Sequence, residues 1–103
     1  MRQVALNLFA MILYDWNSEK NERLKQERGI GFEDVVYHLT HDGLLDTIAH
    51  PNRKRYPSQR IFIINIENYV WLVPFVENDE TIFLKTIIPS RKMTRLYLGS
   101  DSE

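Results

Sequence analysis

A change from strand to helix is predicted within the segment Tyr14-Asp15-Trp16-Asn17-Ser18-Glu19-Lys20-Asn21. The side chain of Asn17 or Ser18 can accept a backbone N–H at the start of a helix. Gly29 can adopt the left-handed conformation that commonly ends one. The sequence therefore predicts an opening strand over residues 11–16, followed by a helix that runs to Arg28.

A second segment, Gly29-Ile30-Gly31-Phe32-Glu33-Asp34, leads into another helix. Phe32, Val35, Val36 and Leu39 recur at the spacing i, i+3, i+4 and i+7, which is the apolar stripe of an amphipathic helix. We expect this helix to end before Gly43 and to pack on a sheet.

Four runs rich in branched and aromatic side chains follow and predict strands. They are Leu44 to Ala49, Arg60 to Glu67, Tyr69 to Val76 and Thr81 to Ile88. The last three are separated by short turns and predict an antiparallel meander, in which Pro74 indicates an edge or a bulge. Between the first two runs lies a polar loop from Pro51 to Gln59.

Length and composition are those of one folded domain, which we assign to residues 1–103. Of the 103 residues, 44% are hydrophobic and 26% are charged, the balance typical of a water-soluble protein. The chain has no cysteine, which excludes disulfides and thiolate metal sites.

Residues 1–10 are interpreted as a possible N-terminal extension, with Met11 as an alternative natural start. The apolar run from Val4 to Leu13 is much shorter than the roughly 20 residues that cross a bilayer. No small-x-small cleavage pattern follows it, so a secretory signal is disfavoured. We therefore expect a cytoplasmic protein that has no membrane partner.

The net charge is −1, which is unusual for a protein that binds nucleic acid, but the charges are segregated. Arg53, Lys54, Arg55 and Arg60 fall in an acid-free segment, as do Lys85, Arg91, Lys92 and Arg95. Such segregation predicts a basic side that could meet phosphates. Two ordinary solvated loops are the alternative.

The motifs together resemble the BrnT family of toxins. That family typically reads aromatic-Glu-Trp-Asp, Glu-Lys-Asn, Gly-Val-Ser-Phe-Glu-Glu and, near the end, Ile-Ser-Ala-Arg-Lys. The matching segments here are Tyr14 to Asn21, Gly29 to Asp34, and Lys85-Thr86-Ile87-Ile88-Pro89-Ser90-Arg91-Lys92. Where the family commonly has Lys-His-Gly, this chain has Glu27-Arg28-Gly29.

The resemblance implies an α+β domain of the RelE type, with two N-terminal helices packed on an antiparallel β-sheet. It also implies an RNA-cleaving, metal-independent endoribonuclease that acts as the toxin of a type II toxin-antitoxin pair. Its partners would be an RNA substrate and a cognate, DNA-binding antitoxin of the ribbon-helix-helix type. No cofactor is expected.

The candidate catalytic residues are Arg60, Arg91, Lys92, Lys85 and His50. RNA cleavage through the 2′-OH needs a proton acceptor, cations at the phosphate and a proton donor. His50 lies beside the basic loop, and the cations flank strands whose ends could converge on one rim of the sheet. Toxins of the RelE type build sites from such cations. The alternative is that they only shield sheet edges.

Two other groups are weighed against structural roles. His38 and His41 are three residues apart on one helix and could ligate a metal with Asp42, although surface histidines are the favoured interpretation. Tyr14, Trp16, Tyr69 and Trp71 could stack on bases. For the two tryptophans, packing in the core or an interface is favoured.

A non-catalytic interaction module, derived from a degenerate toxin, is the alternative to an enzyme. The near-neutral net charge supports it. So does the lack of a convincing proton-transfer residue in the sequence.

Overall fold

The computed structural model describes residues 2–7, as backbone, and residues 12–99. The elements are β1 (Arg2–Asn7), β2 (Ile12–Asn17), α1 (Ser18–Arg28), α2 (Phe32–Leu39), β3 (Leu44–Ala49), β4 (Gln59–Ile66), β5 (Tyr69–Asn78), β6 (Thr81–Leu84), β7 (Ile88–Pro89) and α3 (Arg91–Leu98). No helix in these two ranges is long and apolar enough to span a bilayer.

The sheet has the strand order β1-β2-β6-β5-β4-β3, and β7 pairs with β5. Every pairing is antiparallel except that of β2 with β6, which is parallel. The chain between β2 and β6 provides the long crossover that a parallel pair requires. The sheet is therefore mixed.

This topology corrects the predicted architecture. The α+β class holds, but the RelE-type arrangement of two N-terminal helices on an antiparallel sheet is wrong. Two strands precede α1, the sheet contains a parallel pair, and a third helix follows the sheet. Local sequence patterns fix which segments are strands, whereas the order of strands depends on how the helical crossover packs.

The two predicted helices are confirmed at their boundaries. The Asn17 side chain accepts the backbone N–H of Lys20 at 2.8 Å, and Gly29 ends α1 with φ of 69°. Helix α2 spans Phe32–Leu39, as its apolar stripe predicts. Helix α3 was not predicted, although Ser90 caps it by accepting the N–H of Met93 at 3.1 Å.

The main core lies between one face of the sheet and helices α1 and α2. Trp16 of β2 stacks on Phe32 of α2 with ring centroids 5.7 Å apart, and both are almost fully buried. Phe62 and Phe75 stack at 3.9 Å on neighbouring strands of the same face. On the opposite face, α3 packs against β5, where Val70 is fully buried.

Pro74 marks a bulge, as predicted, on the side of β5 that pairs with β6 and β7. Phe75 is opposite Leu84, whereas Leu72 is opposite Ile88. The pairing therefore advances by four residues along β6–β7 but by only three along β5. The carbonyl of Pro74 accepts the N–H of Lys85 at 2.8 Å, but proline has no backbone N–H to donate to the neighbouring strand. The extra residue lies between β6 and β7.

A buried amide joins α1 to α2. Asn21 is 1% exposed, and its side-chain oxygen accepts the backbone N–H of Phe32 at 2.7 Å. Its amide nitrogen donates to both carboxylate oxygens of Glu33 at 3.0 Å. All of its polar atoms therefore have partners, and the turn between the helices is fixed from inside.

Glu33 extends this network to the surface. Its carboxylate also accepts from the ammonium of Lys25 at 3.3 Å. Partial burial acts to raise the pKa of Glu33, but hydrogen bonds from Asn21, its own backbone and Lys25 outweigh burial and lower the pKa below 4.5. The hydrogen bond to Glu33 correspondingly raises the pKa of Lys25.

The N-terminal strand bears on the predicted extension. Residues 2–7 pair with β2 over its whole length, from Arg2 opposite Asn17 to Asn7 opposite Ile12. Positions 1, 8–10 and the alternative start at Met11 lie outside the described residues. The interpretation of residues 1–10 as an N-terminal extension stays a prediction.

We expect Asn21→Ala to lower the free energy of unfolding by about 1–3 kcal/mol, because it leaves the buried N–H of Phe32 without a partner. Urea denaturation measures the change. Gln26→Ala, at an exposed position of the same helix, is the control and should shift stability by less than about 0.5 kcal/mol. Equal effects of the two changes would show that the buried amide does not hold the helices together.

A pH dependence follows from Glu33. Because its pKa is lowered in the folded state, its contribution to stability is present above pH 4.5 and is lost as the pH falls through the folded-state pKa. The stability gap between the parent and Glu33→Gln should therefore narrow between about pH 7 and about pH 3. Denaturation at several pH values measures it, with Glu27→Gln as an exposed control. A gap that stays constant with pH would contradict this role.

Candidate functional site

A groove of about 320 Å³ lies between the α1–α2 turn, helix α2 and the β4–β5 hairpin. Its size is at the lower end of small-molecule sites, about 300–1,000 Å³. Gly29, Ile30 and Ile66 form its apolar part. Its polar and aromatic members are Arg28, Asp34, His38, Glu67, Tyr69 and Trp71.

Arg28 brings a permanent cation to the groove as the last residue of α1. One guanidinium nitrogen donates to the backbone carbonyl of Ile87, which lies in the bulge between β6 and β7. A guanidinium carries five N–H donors in a fixed fork, so most of them stay available to an anion. The bond to the bulge orients this cation.

Asp34 and His38 lie one turn apart on α2 and both line the groove. One carboxylate oxygen of Asp34 accepts the backbone N–H of Gly31 at 2.9 Å, which caps the helix. The His38 ring meets the Tyr37 ring edge-on at 5.2 Å. Within residues 12–99, no hydrogen bond involves a ring nitrogen of His38, which leaves the imidazole open to a ligand in the groove.

Tyr69 and Trp71 contribute aromatic surface from β5. Their ring centroids are 6.2 Å apart and their planes are inclined by 67°. Both are half-buried, and Trp71 also packs against the core. Trp16, in contrast, is 2% exposed, so its predicted packing role is confirmed. Tyr14 is 5% exposed and is closed to bases as well.

The five predicted catalytic residues do not share one rim of the sheet. Arg60 is near the start of β4, and His50 directly follows β3, so these two lie at the same end. We call this end the loop rim. Arg91 and Lys92 begin α3 directly after β7, at the opposite end, which also carries the β4–β5 hairpin and is called the groove rim.

The pairing along β5 gives the separation of the two rims. Arg60 is opposite Phe75, whereas the N–H of Ser90 donates to Val70, five residues away. At about 3.4 Å per residue, the backbone next to Arg91 is displaced from that of Arg60 by about 17 Å along β5. Strands β4 and β7 are both antiparallel to β5, so the start of one and the end of the other must lie at opposite rims.

At the loop rim, the predicted residues already have partners. Arg60 forms an ion pair with Glu77 at 2.7 Å and lies over the ring of Phe75 at 5.4 Å. His50 accepts the N–H of Asn52 at 3.0 Å through Nδ1, and its ring centroid is 4.5 Å from that of Tyr56. The catalytic roles suggested for them stay predictions.

Lys85 is separate from both groups. Its ammonium lies 5.7 Å from the centroid of the Phe83 ring, beside a shallow depression of about 450 Å³ that Asn17 and Thr81 also line. This depression is on the face opposite α1 and α2, because Phe83 alternates with the buried Leu84. Of the residues that the structure describes, no histidine or carboxylate lines it.

The two helix histidines do not act as a pair. The Nδ1 of His41 donates to the carbonyl of Tyr37 at 2.7 Å, and its ring stacks on Tyr37 at 4.0 Å. His38 instead lines the groove. Among the described residues, no group of three or more histidine, aspartate or glutamate side chains could hold a metal ion.

Sequence reasoning overlooked most of the groove. It considered His38 as a metal ligand and Tyr69 and Trp71 as stacking residues, but it did not join them to Arg28 or Glu67. One feature of the sequence could have pointed to Arg28, because it occupies the position where the BrnT-like motif has histidine. The groove combines a cation, an imidazole, carboxylates and two aromatic rings, which suit the binding of a phosphate next to a base.

Comparison with models of known protein families, with curated proteins and with solved structures finds no match to this chain.

Proposed function

We propose that the protein is an RNA-cleaving, metal-independent endoribonuclease and that the groove is its active site. The observation that carries the proposal is the meeting of Arg28 and His38 with the rings of Tyr69 and Trp71 in one groove. Each of these groups has a use in RNA cleavage. The groove, rather than the loop rim, is the better site because Arg60 is already neutralised by Glu77.

The aromatic rings provide a surface for an unpaired base. Stacking of a base on an aromatic ring contributes about 1–3 kcal/mol and is tolerant of sequence. A base held against Tyr69 or Trp71 would direct its phosphate toward Arg28. The guanidinium fork suits the phosphate geometry and would stabilise the charge that grows as the 2′ oxygen attacks.

His38 is the proton donor in this proposal. Cleavage breaks the bond between phosphorus and the 5′ oxygen, and that oxygen needs a proton to leave. A protonated imidazole supplies it, and the products are a 2′,3′-cyclic phosphate and a 5′-hydroxyl. Asp34 lies one turn earlier on the same helix and lines the groove as well.

The biological role rests on the resemblance to BrnT toxins. On that basis we propose a cytoplasmic toxin of a type II toxin-antitoxin system. A cognate DNA-binding antitoxin of the ribbon-helix-helix type would neutralise it, and the complex would repress its own operon. Arg91 and Lys92, which lie exposed at the groove rim, are candidates for holding the RNA beyond the scissile bond.

A non-catalytic interaction module is the second candidate. It is favoured by large apolar side chains that are exposed, namely Tyr37 at 56% and Leu96 at 69%. Leu44 and Leu45 are also exposed, on edge strand β3. A degenerate toxin that only binds a protein would need such a surface and no groove chemistry.

We expect His38→Gln to slow RNA cleavage by about 10²–10⁴-fold, the usual contribution of general acid catalysis. The matched control is His41→Gln, three residues away at an exposed position in the turn after α2, which should cleave like the parent. Gel analysis of a labelled RNA after incubation with each purified protein measures the rates. Equal activity of parent and His38→Gln would remove His38 from the mechanism.

Induction in bacterial cells separates the two candidate functions. The parent should arrest growth, His38→Gln should not, and co-expression of the proposed antitoxin should restore growth. Colony counts after induction measure the effect, and immunoblotting shows that both proteins accumulate. Arrest by both the parent and His38→Gln would favour the interaction module over an enzyme.

A further inference from the structure

Glu67 has a backbone conformation that its side chain does not favour. Its φ is +53°, in the left-handed region, where a residue with a Cβ is strained unless its side chain is short and polar. Of the four non-glycine residues with positive φ in the described ranges, the other three are Asn68, Asp42 and Asp79. Those are the residue types that tolerate this region, and Glu67 is not.

The turn explains the conformation but not the residue. Ile66 pairs with Tyr69, so Glu67 and Asn68 form a two-residue hairpin loop in which both residues have positive φ. Such a turn prefers Asn-Gly or Asp-Gly. Asn68 is also held by the bond from its N–H to the side chain of Asn65 at 3.0 Å. A glutamate at the first position weakens a turn that asparagine would favour.

No contact of the Glu67 side chain offsets this strain in the part of the chain that the structure describes. Within residues 12–99, the Glu67 side chain takes part in no hydrogen bond and no ion pair, and it is exposed. It does line the groove that Arg28 and His38 line. Strained residues persist where the surrounding structure imposes them, as the paired strands β4 and β5 do here, and they cluster at functional sites. The carboxylate, with its longer reach than aspartate, is therefore the reason for this residue.

We propose that Glu67 is the general base of the groove, an inference that rests on the proposed RNA cleavage. Its carboxylate accepts the proton of the 2′-hydroxyl as the 2′ oxygen forms a bond to phosphorus. The bond from phosphorus to the 5′ oxygen breaks, and that oxygen takes a proton from the imidazolium of His38. The carboxylic acid and the neutral imidazole then exchange protons with water, which restores both groups.

This assignment divides the groove into two sides. Glu67 is presented by the β4–β5 hairpin, and His38 by helix α2, so base and acid come from opposite walls of one groove. A 2′-OH attack that displaces the 5′ oxygen needs its two proton-transfer groups on opposite sides of the phosphorus. Arg28, at the end of α1, is left to neutralise the phosphate.

The assignment also predicts opposite effects on binding and on catalysis. A carboxylate next to a phosphate weakens binding of the substrate, so its removal should leave RNA affinity unchanged or stronger. Cleavage should nevertheless fall, because the proton acceptor is gone. A residue with a purely structural role would not separate the two quantities.

Four proteins test the inference: the parent, Glu67→Gln, Glu67→Asn and Asp79→Asn. Glu67→Gln keeps the size and backbone preference of the side chain, and its cleavage of a fluorescein-labelled RNA should fall by about 100-fold or more. Glu67→Asn should lose cleavage to a similar extent while its melting temperature rises by about 4–8 °C, because asparagine tolerates positive φ. Asp79→Asn alters a residue with positive φ in the β5–β6 hairpin, outside the groove, and should retain full activity.

Binding is measured by fluorescence anisotropy with a DNA strand of the same sequence, which lacks the 2′-hydroxyl and is not cleaved. Affinity for it should be equal or higher in Glu67→Gln than in the parent. If the parent and Glu67→Gln cleave RNA at the same rate, Glu67 is not the general base, and the proposed ribonuclease function is unaffected. A parent that cleaves no RNA overturns both. A Glu67→Asn protein that is no more stable than the parent removes the strain on which the inference is built.

Discussion

The hydrogen bonds of the Asn21 side chain are the constraint on which the arrangement of the helices depends. The amide accepts from Phe32 and donates to Glu33, so it decides where α2 begins relative to α1. It is buried, so water cannot replace either partner. Gly31 follows from the same constraint, because a Cβ there would lie 2.9 Å from the Asn21 oxygen and 2.6 Å from the Lys25 side chain.

The position of the groove follows from the geometry of the turn between α1 and α2. With α2 started by the Asn21 amide, Phe32 enters the core beside Trp16, and the next turn of the helix faces the β4–β5 hairpin. Arg28 ends α1 just before the turn and is bonded to the bulge that Pro74 causes. The residues of the BrnT-like motif are thus mostly structural here, and the groups able to do chemistry lie around them.

The sequence predicted the local elements well because their signals are local. Asn17 and Gly29 bound α1, and the apolar stripe from Phe32 to Leu39 bounds α2. Strand order has no such signal, and so the parallel pairing of β2 with β6 was not foreseen. Helix α3 could have been found, since Ser90 and Gly99 flank it, but the Arg91-Lys92 motif was interpreted only through its charge.

The predicted cations Arg60 and Arg91 do not lie together, and the predicted order of strands already implied their separation. In a meander, the first and third strands run in the same direction. A residue at the start of the first strand and a residue after the end of the third therefore lie at opposite rims of the sheet. Arg60 and Arg91 are in this relation. The groove could not be anticipated in the same way, because its members come from α1, α2 and β5 and depend on the helix crossover.

Glu67 could be recognised only by combining sequence with structure, because glutamate is disfavoured in the backbone conformation that it adopts. A hairpin of two residues between Ile66 and Tyr69 predicts asparagine or glycine in the turn, and glutamate departs from that rule. Strands β4 and β5 are well paired and buried at Ile64 and Val73, so the scaffold can hold an unfavourable turn at its tip. A rigid hairpin also fixes the position of the Glu67 backbone, which holds the side chain beside the groove that Arg28 and His38 line.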